Sequence, residues 1–519
     1  MIELLPTKAS FGESEPVEIE VRDLRAPEAL SLWHLERKLD EVLVDPGSPV
    51  ASFGALPPGG YGVEVGDGAR TAVDVQPNRL ARLRYGFVSD FAPGRDVGAV
   101  TDNLRRLHLN AVQFYDWMYR HAQLLPPADE FEDALGRRVS LDTVRGLAAA
   151  TQGVGAAALG YAAVYAVGRE QHEAWAGEAL YHGDGSPWML GDFLWIVDPS
   201  NERWLRHFAA ELVAARAAVG FDGFHLDQYG APKRAVTGTG AIVDLAQAFP
   251  ALIERVRAKL PDATLVFNNV NDFPTWSTAD SSQDAVYVEV WSPHDRLDHL
   301  GTLVAKARLL APGKPVSIAA YLSAYRQDDP SRLEAMRLEL ATVFSHGASC
   351  LLHGEEDAIL VDPYYVRHER LDDAGVRAAK DFYDFAVRYG DLLFDALDLT
   401  RTHLGGVNTE IQVDGRLDVY TDCTLGAVWA RAIETTSARV VSLIDLTEQR
   451  SLDWDAPKTP SQGVDGVTVS FERVGSRRPR IFTASPDDPS ARELESTLVD
   501  GHDVVEVPPW LTWSLVWAR

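Results

Sequence analysis

Through residues 1 to about 80, apolar and polar positions alternate in short runs, as in Val17-Glu18-Ile19-Glu20-Val21 and Tyr61-Gly62-Val63-Glu64-Val65, with turns such as Pro57-Pro58-Gly59-Gly60 between them. A period of two sends neighbouring side chains to opposite faces, so residues 1–80 predict a small antiparallel, immunoglobulin-like β-sandwich. From about Arg82 the rhythm changes to short apolar runs alternating with amphipathic stretches, the pattern of βα units around a parallel sheet. Eight such runs are readable: β1 at 84–88, β2 at 111–115, β3 at 156–167, β4 at 223–227, β5 at 264–268, β6 at 286–290, β7 at 315–320 and β8 at 348–353. Helical periodicity falls between them, with Trp204, Leu205, Phe208, Leu212 and Val213 on one face of 202–219 and a second clear case at 332–345.

Eight units over 81–398 predict an α/β fold, a (β/α)8 TIM barrel. An open doubly wound sheet would place a Gly-rich loop after its first strand, and Ser89-Asp90-Phe91-Ala92-Pro93 is not one. Past about Thr400 the alternating pattern returns, at 416–420 and in Val440-Val441-Ser442-Leu443-Ile444, and ends in the aromatic run 510–517. That predicts a C-terminal β-sandwich over 399–519, so the barrel is flanked by a β-sandwich domain on each side.

Composition narrows the function classes. The chain has 519 residues, 46% hydrophobic and 24% charged, as in globular proteins large enough for several domains. Its net charge of -27 repels phosphate backbones and excludes nucleic acid as a partner, while a neutral polysaccharide meets no such penalty. Two separated cysteines, Cys350 and Cys423, rule out a disulfide framework. The opening residues contain no basic stretch followed by an apolar run, which predicts a cytoplasmic enzyme without a membrane segment, or a secreted one if the N-terminus has been processed. No cofactor and no metal site is predicted; His353 with Glu355 and Glu356 lacks a further ligand at suitable spacing, and a structural Ca2+ is left open.

Barrel enzymes carry reactive groups at the C-terminal ends of their strands. Here β4 ends in Asp227 and β6 carries Glu289, two carboxyls each set in an apolar run. Glycosidic cleavage needs one carboxyl to protonate the departing oxygen and another to attack or stabilise the sugar centre. A structural ion pair or helix cap would explain either residue alone. Tyr115, Trp117, Tyr229 and Trp291 also stand at strand ends, where flat rings can stack on sugar faces, although any single aromatic is as readily core.

The stretches Gly86-Phe87-Val88-Ser89-Asp90-Phe91, Asn110-Ala111-Val112-Gln113-Phe114-Tyr115-Asp116-Trp117-Met118-Tyr119-Arg120-His121, Gly223-Phe224-His225-Leu226-Asp227-Gln228 and Tyr287-Val288-Glu289-Val290-Trp291 carry a resemblance. It is to the dextranase and cycloisomaltooligosaccharide glucanotransferase family of glycoside hydrolases, family 66. The resemblance implies retaining cleavage of α-1,6-linked glucans such as dextran or isomaltooligosaccharides, with Asp227 as nucleophile and Glu289 as acid/base. It also implies substrate binding by Asp116, Trp117 and His121, with Asn268 and His353 as weaker additions, and the stacking argument adds Tyr115 and Trp291 as substrate-binding residues. Cyclising members carry a long carbohydrate-binding insertion in the barrel, and none of that size interrupts this one, which favours hydrolysis. The alternatives are a barrel glycosidase or transglycosylase acting on another α-linked glucan or galactoside, and a non-catalytic carbohydrate-binding protein.

Overall fold

The computed structural model describes residues 2–66, 68–394, 397, 398, 400, 404 and 410–519. Its centre is an eight-stranded parallel sheet whose strands pair in chain order. They are β1 (Tyr85–Val88), β2 (Ala111–Phe114), β3 (Ala157–Ala163), β4 (Gly223–Asp227), β5 (Thr264–Val270), β6 (Ala285–Glu289), β7 (Val316–Ala319) and β8 (Ser349–Cys350). β1, β2, β3 and β7 are buried along their whole length, as parallel strands covered on both faces must be, which is why they read as apolar runs rather than alternation.

Each strand is followed by a helix: α1 (Val97–Arg106), α2 (Leu141–Gly153), α3 (Glu202–Val219), α4 (Leu245–Lys259), the single turn α5 (Thr275–Thr278), α6 (Leu297–Leu310), α7 (Ser331–Ser345) and α8 (Asp373–Arg388). The limits of α3 follow from its ends. The Asn201 side chain accepts from the Arg203 and Trp204 amides, satisfying two orphan donors, and Gly220 closes the helix at φ 89°, a left-handed conformation that costs glycine little.

The ring shuts where β8 meets β1. There the Phe87 amide donates to the His353 carbonyl at 3.3 Å. The approach depends on glycine, because a Cβ on Gly354 would lie 2.1 Å from the Phe87 carbonyl oxygen. β8 is shorter than the run 348–353 implied, and its last residues serve this closure.

The N-terminal region forms a three-stranded and a five-stranded sheet. Its strand Pro16–Arg22 points Val17, Ile19 and Val21 into their common core. Strand Gly59–Val65 is buried on both faces because its outer face presses on α8; a Cβ on Gly60 would stand 2.0 Å from the Val387 carbonyl. Asp391, just beyond α8, accepts from His34 at 2.8 Å and pairs with Arg82.

The C-terminal region packs a seven-stranded on a four-stranded sheet. Its first described strand is Leu397–Asp398; the junction expected at 399 lies outside the described residues. Strand Arg439–Asp445 sends Val441 and Leu443 into the core between the two sheets, and Val440 and Ile444 into the core shared with the barrel. Trp513 seals that second interface edge-on against Phe385 of α8, with ring centres 4.9 Å apart. Among the described residues, no helix is long and apolar enough to cross a membrane.

Candidate active site

The strand ends converge on a cavity of about 270 Å³ at the C-terminal mouth of the barrel. Asp227 and Glu289 both line it. Each is the last residue of its strand, β4 or β6, so the backbone ladder fixes where its side chain enters the mouth.

Asn268 of β5 stands between them. Its amide nitrogen donates to Asp227 Oδ1 at 2.7 Å and to Glu289 Oε2 at 2.7 Å, so those two oxygens are separated by at most twice that distance. The remaining oxygens have separate partners: Tyr161 hydroxyl donates to Asp227 Oδ2 at 2.7 Å, and the Trp291 indole N–H to Glu289 Oε1 at 2.9 Å.

Burial raises both pKa values, because a dry site penalises the charged form. Asp227 is pushed up to about 6, against the donors Asn268 and Tyr161, which favour its carboxylate. Glu289 is pushed up to about 7, first by burial and then by the negative charge of Asp227. The donors of Asp227 favour its carboxylate, and the charge of Asp227 favours the neutral form of Glu289.

Asn268 sits beneath these oxygens with only 2% of its surface exposed, so it acts on the carboxyls more than on a ligand. A donor to a carboxylate lowers its pKa, so Asn268→Ala should raise both apparent pKa values and move both limbs of the pH–activity curve to higher pH, by up to about one unit. Unmoved limbs in a folded variant would refute this positioning role.

Around the pair lies an aromatic lining. Tyr115 of the loop after β2 stacks on Tyr365 at 4.3 Å between ring centres, and the hydroxyls of Tyr287 and Tyr321 lie 3.2 and 3.3 Å from that of Tyr365. His225 is wedged beneath, 3.0 Å from Tyr85 hydroxyl, and burial lowers its pKa to about 3, keeping it neutral.

Asp116 lines the cavity and adopts φ 52°, an uncommon conformation for a residue with a side chain. Burial pushes its carboxyl up to about 7, with Arg137 opposing. His121 also lines the cavity, nearly buried and held neutral by desolvation at about 4. Trp291 is 38% exposed at the rim.

Two of the residues expected to bind substrate are elsewhere. Trp117 is fully buried outside the cavity lining; its indole N–H donates to the Tyr161 carbonyl at 3.1 Å and its ring meets Phe221 edge-on. It supports β3, and with it Tyr161, rather than facing a ligand. His353 is equally buried, with Nδ1 donating to the Ala358 carbonyl at 3.2 Å and its ring against Tyr383 of α8. Its neighbour Glu355 accepts from the Ser89 amide at 2.6 Å and pairs with Arg95. Among the described residues, no group of three or more His, Cys, Asp or Glu side chains is arranged to hold a metal ion.

Sequence reasoning missed Tyr161, Tyr321 and Tyr365. Tyr161 had a signal in its favour, being with Tyr165 one of two hydroxyls in the otherwise apolar run 156–167; the other two lie in the loops after β7 and β8.

A closed (β/α)8 barrel with two facing carboxyls and an aromatic-lined mouth has the layout of a barrel glycoside hydrolase. The family model "Glycosyl hydrolase family 66" matches residues 49–517, and the chain belongs to that family. Two cycloisomaltooligosaccharide glucanotransferases of Niallia circulans are similar, one 27% identical over 63% of this chain and 36% of its own length, the other 26% identical over 79% and 44%. The chain thus matches less than half the length of these curated relatives. A solved cycloisomaltooligosaccharide glucanotransferase from Paenibacillus sp., complexed with cycloisomaltoheptaose, shares the fold at TM-score 0.87 with 18% identity over 99% of both chains. An α-amylase from Geobacillus thermoleovorans shares it more loosely, at TM-score 0.56 and 11% identity over 85% of this chain and 98% of its own.

Proposed function

We propose that this chain is a retaining glycoside hydrolase that cuts α-1,6-glucosidic linkages of dextran or isomaltooligosaccharides by double displacement. The observation that carries the reading is the amide nitrogen of Asn268 shared by Asp227 and Glu289. It supports a carboxyl spacing in the retaining class, roughly 5–5.5 Å, rather than the roughly 6.5–9.5 Å that leaves room for an inverting water.

Asp227, the first to ionise, attacks the anomeric carbon while Glu289 protonates the leaving oxygen. A covalent glucosyl ester on Asp227 results. Glu289, now a carboxylate, then takes a proton from water, whose oxygen displaces the ester. Asp116 and His121 hold the glucosyl unit at the cleavage point, and the family assignment supports α-1,6-glucan as the substrate class. Because one step wants Asp227 charged and Glu289 neutral, kcat/KM should trace a narrow bell, rising near pH 6 and falling near pH 7.

The decisive experiment is the time course of product lengths from dextran, with starch and raffinose as controls and NMR of the first anomer released. Dextran cleavage giving the α-anomer is expected. The β-anomer would refute retention, and cleavage of starch or raffinose in place of dextran would refute the linkage. A second reading, transfer of the glucosyl unit to a sugar hydroxyl, is favoured by the names of the two curated relatives, and would appear as products that lengthen or gain no reducing ends.

A further inference from the structure

Tryptophan is mostly buried in folded proteins, and here its exposure is confined to one face of the barrel. Among the described residues, only Trp276 and Trp291 of the chain's 13 tryptophans stand exposed, at 56% and 38%. Both follow neighbouring barrel strands at their C-terminal ends, Trp276 in the turn α5 beyond β5 and Trp291 just past β6. Asn271 joins the two loops: its amide nitrogen donates to the Ser292 carbonyl at 2.8 Å, and its oxygen accepts from the Trp291 amide at 3.2 Å. Trp291 lines the cavity of the two carboxyls, whereas Trp276 lies outside that lining.

The Trp276 ring is held from beneath. It meets Phe273 edge-on with ring centres 5.7 Å apart, and Lys306 Nζ of α6 lies 5.6 Å from its centre. The turn that carries it is anchored to the barrel. Thr278 hydroxyl donates to Asn269 Oδ1 at 2.5 Å, Asn269 Nδ2 donates to the Tyr287 carbonyl of β6 at 2.9 Å, and Ser277 hydroxyl donates to the Ala246 carbonyl of α4. The fold gains little burial from a ring so placed, but a preformed platform loses little freedom when a ligand lies on it.

A pyranose presents an apolar face of C–H groups and a rim of hydroxyls, so it is matched by a flat ring beside a fixed donor. Lys306 is such a donor. Its side chain is 38% exposed, and Asp272, with which it pairs, takes one of the three ammonium protons. The others remain for hydroxyls.

Resting on the glucanase reading above for its ligand, we propose that Trp276 and Lys306 form a second, non-catalytic glucan-binding site outside the cleft. A glucan held there and in the cleft at once makes two weak contacts joined by its own chain. A long glucan thereby gains affinity that a short one does not.

The full chain carrying Asp227→Asn, run through a native gel with dextran and with excess isomaltotetraose to fill the cleft, should still be retarded. Adding Trp276→Ala should remove that retardation, and Trp276→Phe, which keeps a flat ring, should retain most of it. In the active enzyme Trp276→Ala should raise KM for dextran about threefold or more with kcat unchanged, and leave kcat/KM for isomaltotetraose where it was. Retardation that survives Trp276→Ala, equal losses on dextran and isomaltotetraose, or retardation by dextran sulfate in place of dextran would overturn the proposal. So would a dimer that Trp276→Ala dissociates, which would give the ring to a second copy of the chain. An unaltered chain inert on both sugars yet retarded through Trp276 would overturn the glucanase reading and leave the binding site standing. An active chain whose retardation ignores Trp276 would do the reverse.

Discussion

Asp227→Asn should abolish turnover, lowering kcat by about a thousandfold or more, because an amide cannot form the glucosyl ester. The folded protein should be more stable for the change. In the parent, burial raises the Asp227 pKa, so between the ordinary carboxylate range and about pH 6 the native state binds a proton that the unfolded chain has released. Stability is therefore lost as pH rises through that window, and the amide removes the cost. Calorimetry at pH 7.5 should show Tm higher by about 1–3 °C, with no difference at pH 4. In Asp227→Gly, azide can occupy the vacated space, form the C–N bond as the glycosidic C–O bond breaks, and yield the inverted glucosyl azide. Substantial activity in the asparagine variant, or rescue giving the azide of retained configuration, would assign the nucleophile elsewhere.

Glu289→Gln should separate substrates by their leaving groups. A sugar alkoxide needs protonation to depart, so isomaltotetraose should lose about three orders of magnitude in kcat/KM, whereas the fluoride ion of α-isomaltosyl fluoride departs with little help and that substrate should lose far less in its first step. The fall in activity above about pH 7 reports loss of the Glu289 proton, so it should vanish from the variant's profile while the rise governed by Asp227 remains. That rise should stay in place, since Glu289 is already neutral where Asp227 loses its proton. A glutamine variant that keeps its alkaline limb would show that another group supplies the proton.

The barrel was legible because eight strands covered on both faces leave apolar runs that no other local structure leaves at that spacing. Asp227 and Glu289 were legible because a carboxyl ending such a run has few structural excuses. Trp117 misled for a local reason: Asp116 turns the chain at φ 52°, the alternation of faces breaks there, and the next ring swings behind β3 instead of into the mouth. His353 misled because β8 stops at Cys350, so the residue read as a strand end lies beyond the strand and faces α8. Tyr321 and Tyr365 left no pattern to read, since loop residues have no period and their place is set by packing between distant segments. Asn268 was found at the right place, in the cavity lining, and the distances add that its amide nitrogen serves both carboxyls.

The joint between the first and last barrel strands has further meaning. A cylinder of strands gives way where its ladder is thinnest, and here the N-terminal domain, which enters β1, leans on the helix that follows β8 through Gly60 and the ties of Asp391 to His34 and Arg82. The appended domain thus works as a clasp across the head and tail of the hoop, and the carboxyls on β4 and β6, on the opposite side of the ring, are spared whatever breathing that joint allows.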